Sequence, residues 1–196
     1  MDRTTRPLVI VAAFSGSLVF GLVLMLWAVG GLRSMTAPAS IGGPFQLTDQ
    51  AGQTVTEKNL QGKPTLIFFG FTHCPDVCPT SLFEISEVLR AMGKDADRVN
   101  AYFVSVDPER DTAAAMKDYL SSFDPHLKGL TGNPEAMAKV ISEFRVYAKK
   151  VPLKDGDYTM DHTALIYLMD RDGRFVSPFN LKRTPEAAAA DLKRYL

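Results

Sequence analysis

Phe69-Gly70-Phe71-Thr72-His73-Cys74-Pro75-Asp76-Val77-Cys78-Pro79 holds both cysteines of the chain. They stand four residues apart, where an apolar run gives way to a helical pattern. Two thiols fixed there can bind a soft metal, cycle between dithiol and disulfide, or form a structural disulfide. Pro79 disfavours helical backbone at the residue before it and suits a first helical position itself. Cys78 is therefore expected at or just before a helix N-terminus, exposed, where the helix dipole stabilises a thiolate. Thiolate is both the nucleophile and the metal ligand, so this placement serves either chemistry. Two cysteines cannot make a disulfide-rich scaffold or a four-thiolate metal site within one chain.

Two thiolates and one imidazole suit Cu(I), Cu(II) or Zn(II), and spacing alone does not choose among them. The chain has three histidines. His73 adjoins Cys74, and consecutive residues of extended chain point to opposite faces, which makes it a weak partner. His126 follows Asp124-Pro125 in a loop and reads as solvated. His162 precedes an apolar run, and sites form at strand ends on one side of an α/β sheet. It is thus a candidate ligand or a structural histidine. Met160 is a thioether near it, though a lone Met more often packs. Asp107 follows another apolar strand and is read either as a turn residue or as an acceptor orienting a ligand. Asp76, between the cysteines, is read either as tuning their charge or as simply solvated, and Phe69 and Phe71 as core.

Strands alternating with helices must position these groups. Phe45 to Thr48 and Thr54 to Thr56 flank the turn Asp49-Gln50-Ala51-Gly52, predicting a hairpin. Thr65 to Phe71 and Val99 to Val106 read as strands buried on both faces, and Thr163 to Met169 as a third. Helices are expected after Pro79, over Thr112 to Phe123 and over Pro134 to Phe144. Asp170 to Gly173 is a turn with an edge strand returning at Arg174 to Val176. Thr184 caps a last helix with Pro185 at its first position. The pattern is that of an α/β domain with a partly parallel sheet and an antiparallel edge.

The first residues have a different character. No charge occurs from Pro7 to Leu32, and Leu8 to Ala28 is apolar over a length that suits a bilayer, which needs about 20 residues of helix. A cleaved signal peptide normally has a shorter apolar stretch. Residues 1–33 are therefore expected to be a cytoplasmic stub and transmembrane anchor, with Trp27 near an interface. Arg3 and Arg6 favour a cytoplasmic N-terminus, which would place the C-terminal domain in the periplasm or its equivalent. Residues 34–43, rich in Gly, Ser, Ala and Pro, read as a linker, and residues 44–196 as the domain. Balanced charge, 22 basic against 22 acidic residues, argues against nucleic acid as a partner.

The segment GFTHCPDVCPTSL resembles the signature of the Sco/SenC family, copper-handling assembly factors of cytochrome c oxidase. FQLTDQAGQTVTEKNL resembles that family's entry hairpin. Val104 to Thr112, with Asp107-Pro108-Glu109-Arg110-Asp111, resembles its DPxxD loop, and Asp161-His162-Thr163 its histidine segment. The resemblance spans roughly residues 43 to 195. It implies a thioredoxin-like fold and one copper ion, Cu(I) or Cu(II), held by Cys74, Cys78 and His162, with Asp107 beyond them. It also implies a non-enzymatic metallochaperone for the binuclear copper centre of oxidase subunit II or a similar acceptor, anchored in a bacterial-type inner membrane. The alternative is a thiol–disulfide oxidoreductase in which Cys74 and Cys78 reduce that centre's cysteines. Outside the cytoplasm either role needs a thiol reductant.

Overall fold

Every residue of the strand Thr65–Gly70 is buried, because it has a neighbour on each side and packing on both faces. In this computed structural model, which describes residues 18–27, 40–154 and 156–196, it is β3, the strand on which the functional loop is built. Residues 18–27 are a helix, α1, whose apolar side chains are exposed. The rest of the expected anchor lies outside the described residues. Among the described residues no helix is long and apolar enough to cross a membrane. The chain divides into two units, Met1–Ser40 and Ile41–Leu196.

The second unit runs β1 (Gln46–Asp49), β2 (Thr54–Thr56), β3, α2 (Val77–Met92), β4 (Asn100–Ser105), α3 (Ala113–Leu120), β5 (Leu127–Thr131), α4 (Pro134–Glu143), β6 (Ala148–Pro152), β7 (Tyr158–His162), β8 (Ile166–Met169), β9 (Phe175–Pro178) and α5 (Pro185–Lys193). Seven strands form one sheet in the order β2-β1-β5-β4-β3-β8-β9. β3, β4 and β5 are mutually parallel, and the flanking strands are antiparallel. Phe68, Phe69, Phe71, Phe103 and Phe144 are almost wholly buried. At about 1.5–3 kcal/mol per large apolar side chain, these rings are a main source of cohesion where the sheet meets the site.

The expected α/β organisation with an antiparallel edge is the one observed. The early hairpin pairs Leu47 with Val55. Thr112, Asn133 and Thr184 each accept a backbone N–H in the first turn of the helix they cap. Two expectations need correction. α2 begins at Val77, so Cys78 lies inside the helix although Pro79 follows it. Proline there is tolerable because the first-turn amides have no intrahelical acceptor. The third apolar run is also shorter than expected. Ile166–Met169 is the buried strand, whereas Leu165 is exposed and His162 closes β7 in a separate two-stranded sheet with β6.

β5 was not expected, since Lys128 and Gly129 interrupt its apolar pattern. Gly129 is required by packing: a Cβ there would lie 2.8 Å from Leu120 and 2.9 Å from Met116 of α3.

His126 lies in the turn before β5, as expected, but it is partly buried and paired rather than simply solvated. Its Nδ1 is 2.7 Å from Asp124 and its Nε2 is 3.1 Å from Asp97. The hydrogen bond it donates to Asp124 raises its pKa, burial opposes this, and Asp97 adds to the rise. A raised folded-state pKa gives stability that is fully present below the unfolded value, near 6.5, and is lost as pH climbs through the folded value. His126→Ala is therefore expected to lower Tm clearly at about pH 6 and progressively less toward about pH 9. Thermal denaturation of both proteins at the two pH values checks this. A gap that is constant or widens with pH contradicts it.

Candidate metal centre

The three parallel strands direct their C-terminal ends to one edge of the sheet, where the loops after β3 and β4 are stitched together. Val106 donates its N–H to Gly70 O at 2.8 Å. Thr72 Oγ1 donates to Asp111 Oδ1 at 2.6 Å, its backbone N–H reaches the same carboxylate, and Ser105 Oγ donates to Asp111 Oδ2 at 2.7 Å. Asp111 is fully buried. Burial pushes its carboxyl pKa up, opposed by the hydrogen bonds from Thr72 and Ser105. Asp111 thereby fixes the loop that carries Cys74.

Cys74 is half-buried on that loop, its N–H donating to Phe71 O at 3.2 Å. Cys78 lies one helical turn on and is fully buried, with 0% exposure. The Cys78 N–H, one of the free amides of the helix start, donates to Cys74 Sγ at 3.4 Å. Both thiols are free. His162 enters from β7, with Nε2 3.6 Å from Cys78 Sγ. Its Nδ1 is 3.1 Å from Thr163 O. A carbonyl can only accept, so Nδ1 carries the proton and the lone pair of Nε2 faces the sulfurs. Phe71 meets the imidazole edge-on at 5.7 Å and 90°. The donor atoms of Cys74, Cys78 and His162 all lie within 4.8 Å of one another. Among the described residues they are the group of three or more His, Cys, Asp or Glu side chains able to share a metal ion.

The electrostatics of Cys78 differ from the sequence expectation. Burial raises its pKa far above that of an ordinary thiol, and the Phe71 backbone N–H, which favours the thiolate, does not offset this. Desolvation outweighs the helix dipole because the sulfur is fully buried. A cation bonded to the sulfur reverses the balance, since a coordinating thiol gives up its proton. The pocket thus suits a metal better than a free thiolate.

Gly70 makes room for that sulfur. A Cβ there would fall 2.7 Å from Cys78 Sγ and 2.6 Å from the Phe103 ring. Gly70→Ala is expected to destabilise the fold by about 1–3 kcal/mol and to displace Cys78. Chemical denaturation together with metal titration checks this, and a variant unchanged in both contradicts it.

The other candidates are placed elsewhere. Asp107 is buried but touches none of the three donors. Its carboxylate accepts from Tyr158 Oη at 2.9 Å and from Arg110 Nε at 2.5 Å. His73 is exposed beside Thr72 Oγ1. Asp76 is exposed, and Met160 is half-buried against the core. Phe69 and Phe71 are core residues, as expected. His126 precedes β5 and so lies at the opposite end of the parallel strands from the cysteine loop. Sequence reasoning missed Thr72, Arg110, Asp111 and Tyr158. The pair Asp107 and Asp111 in one loop is a signal that could have pointed to the first three.

The SCO1/SenC family model matches residues 33–196 of this chain. The chain belongs to the SCO1/SenC family. Bradyrhizobium japonicum ScoI, solved with copper bound, is 84% identical to this SCO1/SenC chain, covers 80% of it and all of the solved chain, and superposes with a TM-score of 0.79. Arabidopsis thaliana ScoI, also solved with copper bound, is 39% identical, with coverage of 80% and 98% and a TM-score of 0.72. The Arabidopsis thaliana mitochondrial SCO1 homolog 1 is 45% identical over 139 residues, 70% of the present chain and 42% of that relative, so the chain spans less than half its length. The domain shares the thioredoxin-like α/β fold of the solved Sco structures.

Proposed function

We propose that this SCO1/SenC protein is a copper metallochaperone that binds one copper ion through Cys74, Cys78 and His162. It delivers that ion for assembly of the binuclear copper centre of cytochrome c oxidase. The observation that carries this reading is the convergence of two sulfurs and one imidazole nitrogen within 4.8 Å, with the imidazole tautomer set for coordination. Soft sulfur donors select Cu(I), and an added imidazole accommodates Cu(II). The similarity to two Sco proteins solved with copper supports the choice of ion. Copper is cargo here, so the protein acts as an assembly factor rather than an enzyme. The apolar run Leu8 to Ala28 is proposed as a single-pass anchor in a bacterial-type inner membrane, with the domain in the periplasm. The acceptor is oxidase subunit II or a protein with a similar copper site, and an external thiol reductant keeps both cysteines reduced.

A second reading, reduction of the acceptor's cysteines by a Cys74–Cys78 couple, draws on the two free thiols one helical turn apart, with the Cys78 backbone N–H 3.4 Å from Cys74 Sγ. The raised pKa of Cys78 weighs against it, since exchange requires a thiolate. Gene deletion is expected to lower the activity of a copper-containing terminal oxidase, with recovery on added copper. Normal oxidase under copper limitation refutes the assignment. Complementation by His162→Ala separates the two readings: the chaperone needs the imidazole, whereas disulfide exchange does not.

A further inference from the structure

His162 is carried by β6 and β7, which pair with each other in a sheet of their own rather than within the seven-stranded sheet. Its position therefore depends on how that hairpin is tethered. The hairpin base is closed locally, with Thr163 N–H donating to Tyr147 O at 2.9 Å and Tyr147 N–H to Thr163 Oγ1 at 3.0 Å. At the other end of β7, Tyr158 is held by the loop after β4. Tyr158 Oη donates to the buried Asp107 carboxylate at 2.9 Å, and Arg110 Nη1 donates to Tyr158 O at 3.1 Å. The Tyr158 ring lies between two cations, with the Arg110 guanidinium 3.8 Å from its centroid and Lys150 Nζ 3.7 Å from it. Lys150 is in turn paired with Glu109 of the same loop at 2.7 Å.

This grip has an anchor. Asp107 is 3% exposed, and its backbone N–H donates to Ser105 Oγ at 2.9 Å, the hydroxyl that also holds Asp111. Arg110 also lies 5.9 Å from the ring of Phe71, which packs on His162. Two contiguous routes thus run from the Asp107 loop to the imidazole. One follows β7 through its backbone, and the other passes through Phe71. The cysteines take no part in this grip. Cys74 and Cys78 are fixed by β3, α2 and Asp111, whereas the third donor is set by Tyr158.

We infer that Tyr158, gripped by Asp107 and Arg110, is a positioning residue that registers the β6–β7 hairpin so that His162 Nε2 faces the two sulfurs. The inference rests on the proposed copper site. It makes imidazole engagement the adjustable part of that site. Cu(II) binding, which draws on the imidazole, should then respond to Tyr158 much more than Cu(I) binding, which the thiolates dominate.

The test uses the purified, fully reduced full chain and its Tyr158→Phe, Asp107→Asn, His162→Ala and Tyr158→Phe/His162→Ala variants. Tyr158→Phe keeps the ring between its cations and removes only the hydroxyl, and Asp107→Asn weakens the same bond from the other side. Supporting partners of metal ligands are worth about 10–100-fold in affinity. Tyr158→Phe is therefore expected to speed Cu(II) dissociation by about tenfold and weaken the thiolate-to-Cu(II) absorption, with Cu(I) affinity changed by less than about threefold. In the His162→Ala background the same change should have no further effect. Three results overturn the inference: unchanged Cu(II) kinetics in both single variants, an equal loss of Cu(I) and Cu(II), or an undiminished effect of Tyr158→Phe without His162. A parent chain that binds no copper overturns the site reading and this inference together. A copper-binding parent with indifferent variants overturns the inference alone.

Discussion

Cys78→Ser is expected to abolish tight Cu(I) binding. Tetrahedral zinc sites hold their metal with about 10–16 kcal/mol from four donors, or roughly 3 kcal/mol per donor, and each 1.4 kcal/mol is tenfold in affinity. Losing one of three donors should therefore cost at least about a hundredfold. Replacing a soft sulfur by a hard oxygen should raise the cost further for Cu(I). Among the described residues no further His, Cys, Asp or Glu side chain joins the group Cys74, Cys78 and His162 to take its place. Competition against a Cu(I) chelator of known affinity measures the loss. Because a ligand that binds only the folded state raises its stability, the parent's Tm should also rise on loading while that of Cys78→Ser stays nearly still. One-to-one tight binding retained in the variant contradicts a two-thiolate site.

His162→Ala should divide the two oxidation states. Cu(I) is satisfied by two thiolates, whereas Cu(II) gains from an imidazole. We expect Cu(II) affinity to fall by about a hundredfold or more, and the thiolate-to-Cu(II) absorption to shift or bleach. The apo fold should survive, because the imidazole is only half-buried and meets the core rings Phe71, at 5.7 Å, and Phe68, at 6.4 Å, only by edge contacts. Unchanged Cu(II) affinity in a folded variant removes His162 from the site.

The cysteines were legible because chemistry and local structure coincide there. An apolar strand, two thiols and a proline-marked helix start can be read in a single window, and the β3 and α2 assignments survived almost intact. The placement of Cys78 was misread because local rules about proline and helix ends do not report burial. Gly70 and Phe103 enclose that sulfur, and Phe103 lies on another strand. The position of His162 was misread for a related reason. AKKVP and YTMDH are polar and alternate poorly, so the hairpin that holds the histidine gives no apolar signal. It persists through its own ladder and through Tyr158, whose partners Asp107 and Arg110 are about fifty residues away in sequence. The role of Asp107 depended on the same distant contact: it was considered as a turn residue or a ligand support, and it grips the hairpin. The family signature found His162 where residue-level reasoning left the choice open.

The unequal burial of the three donors imposes an order of events. Cys78 is fully buried, while Cys74 and His162 are each partly exposed. An incoming donor, whether a sulfur or an imidazole, can approach a held ion only past those two. On the proposed role, exchange would begin with the outer pair letting go, and the innermost sulfur would release last. Under the proposed chaperone role, an ion passed on this way would stay tethered at its back until the new ligands had closed around the front.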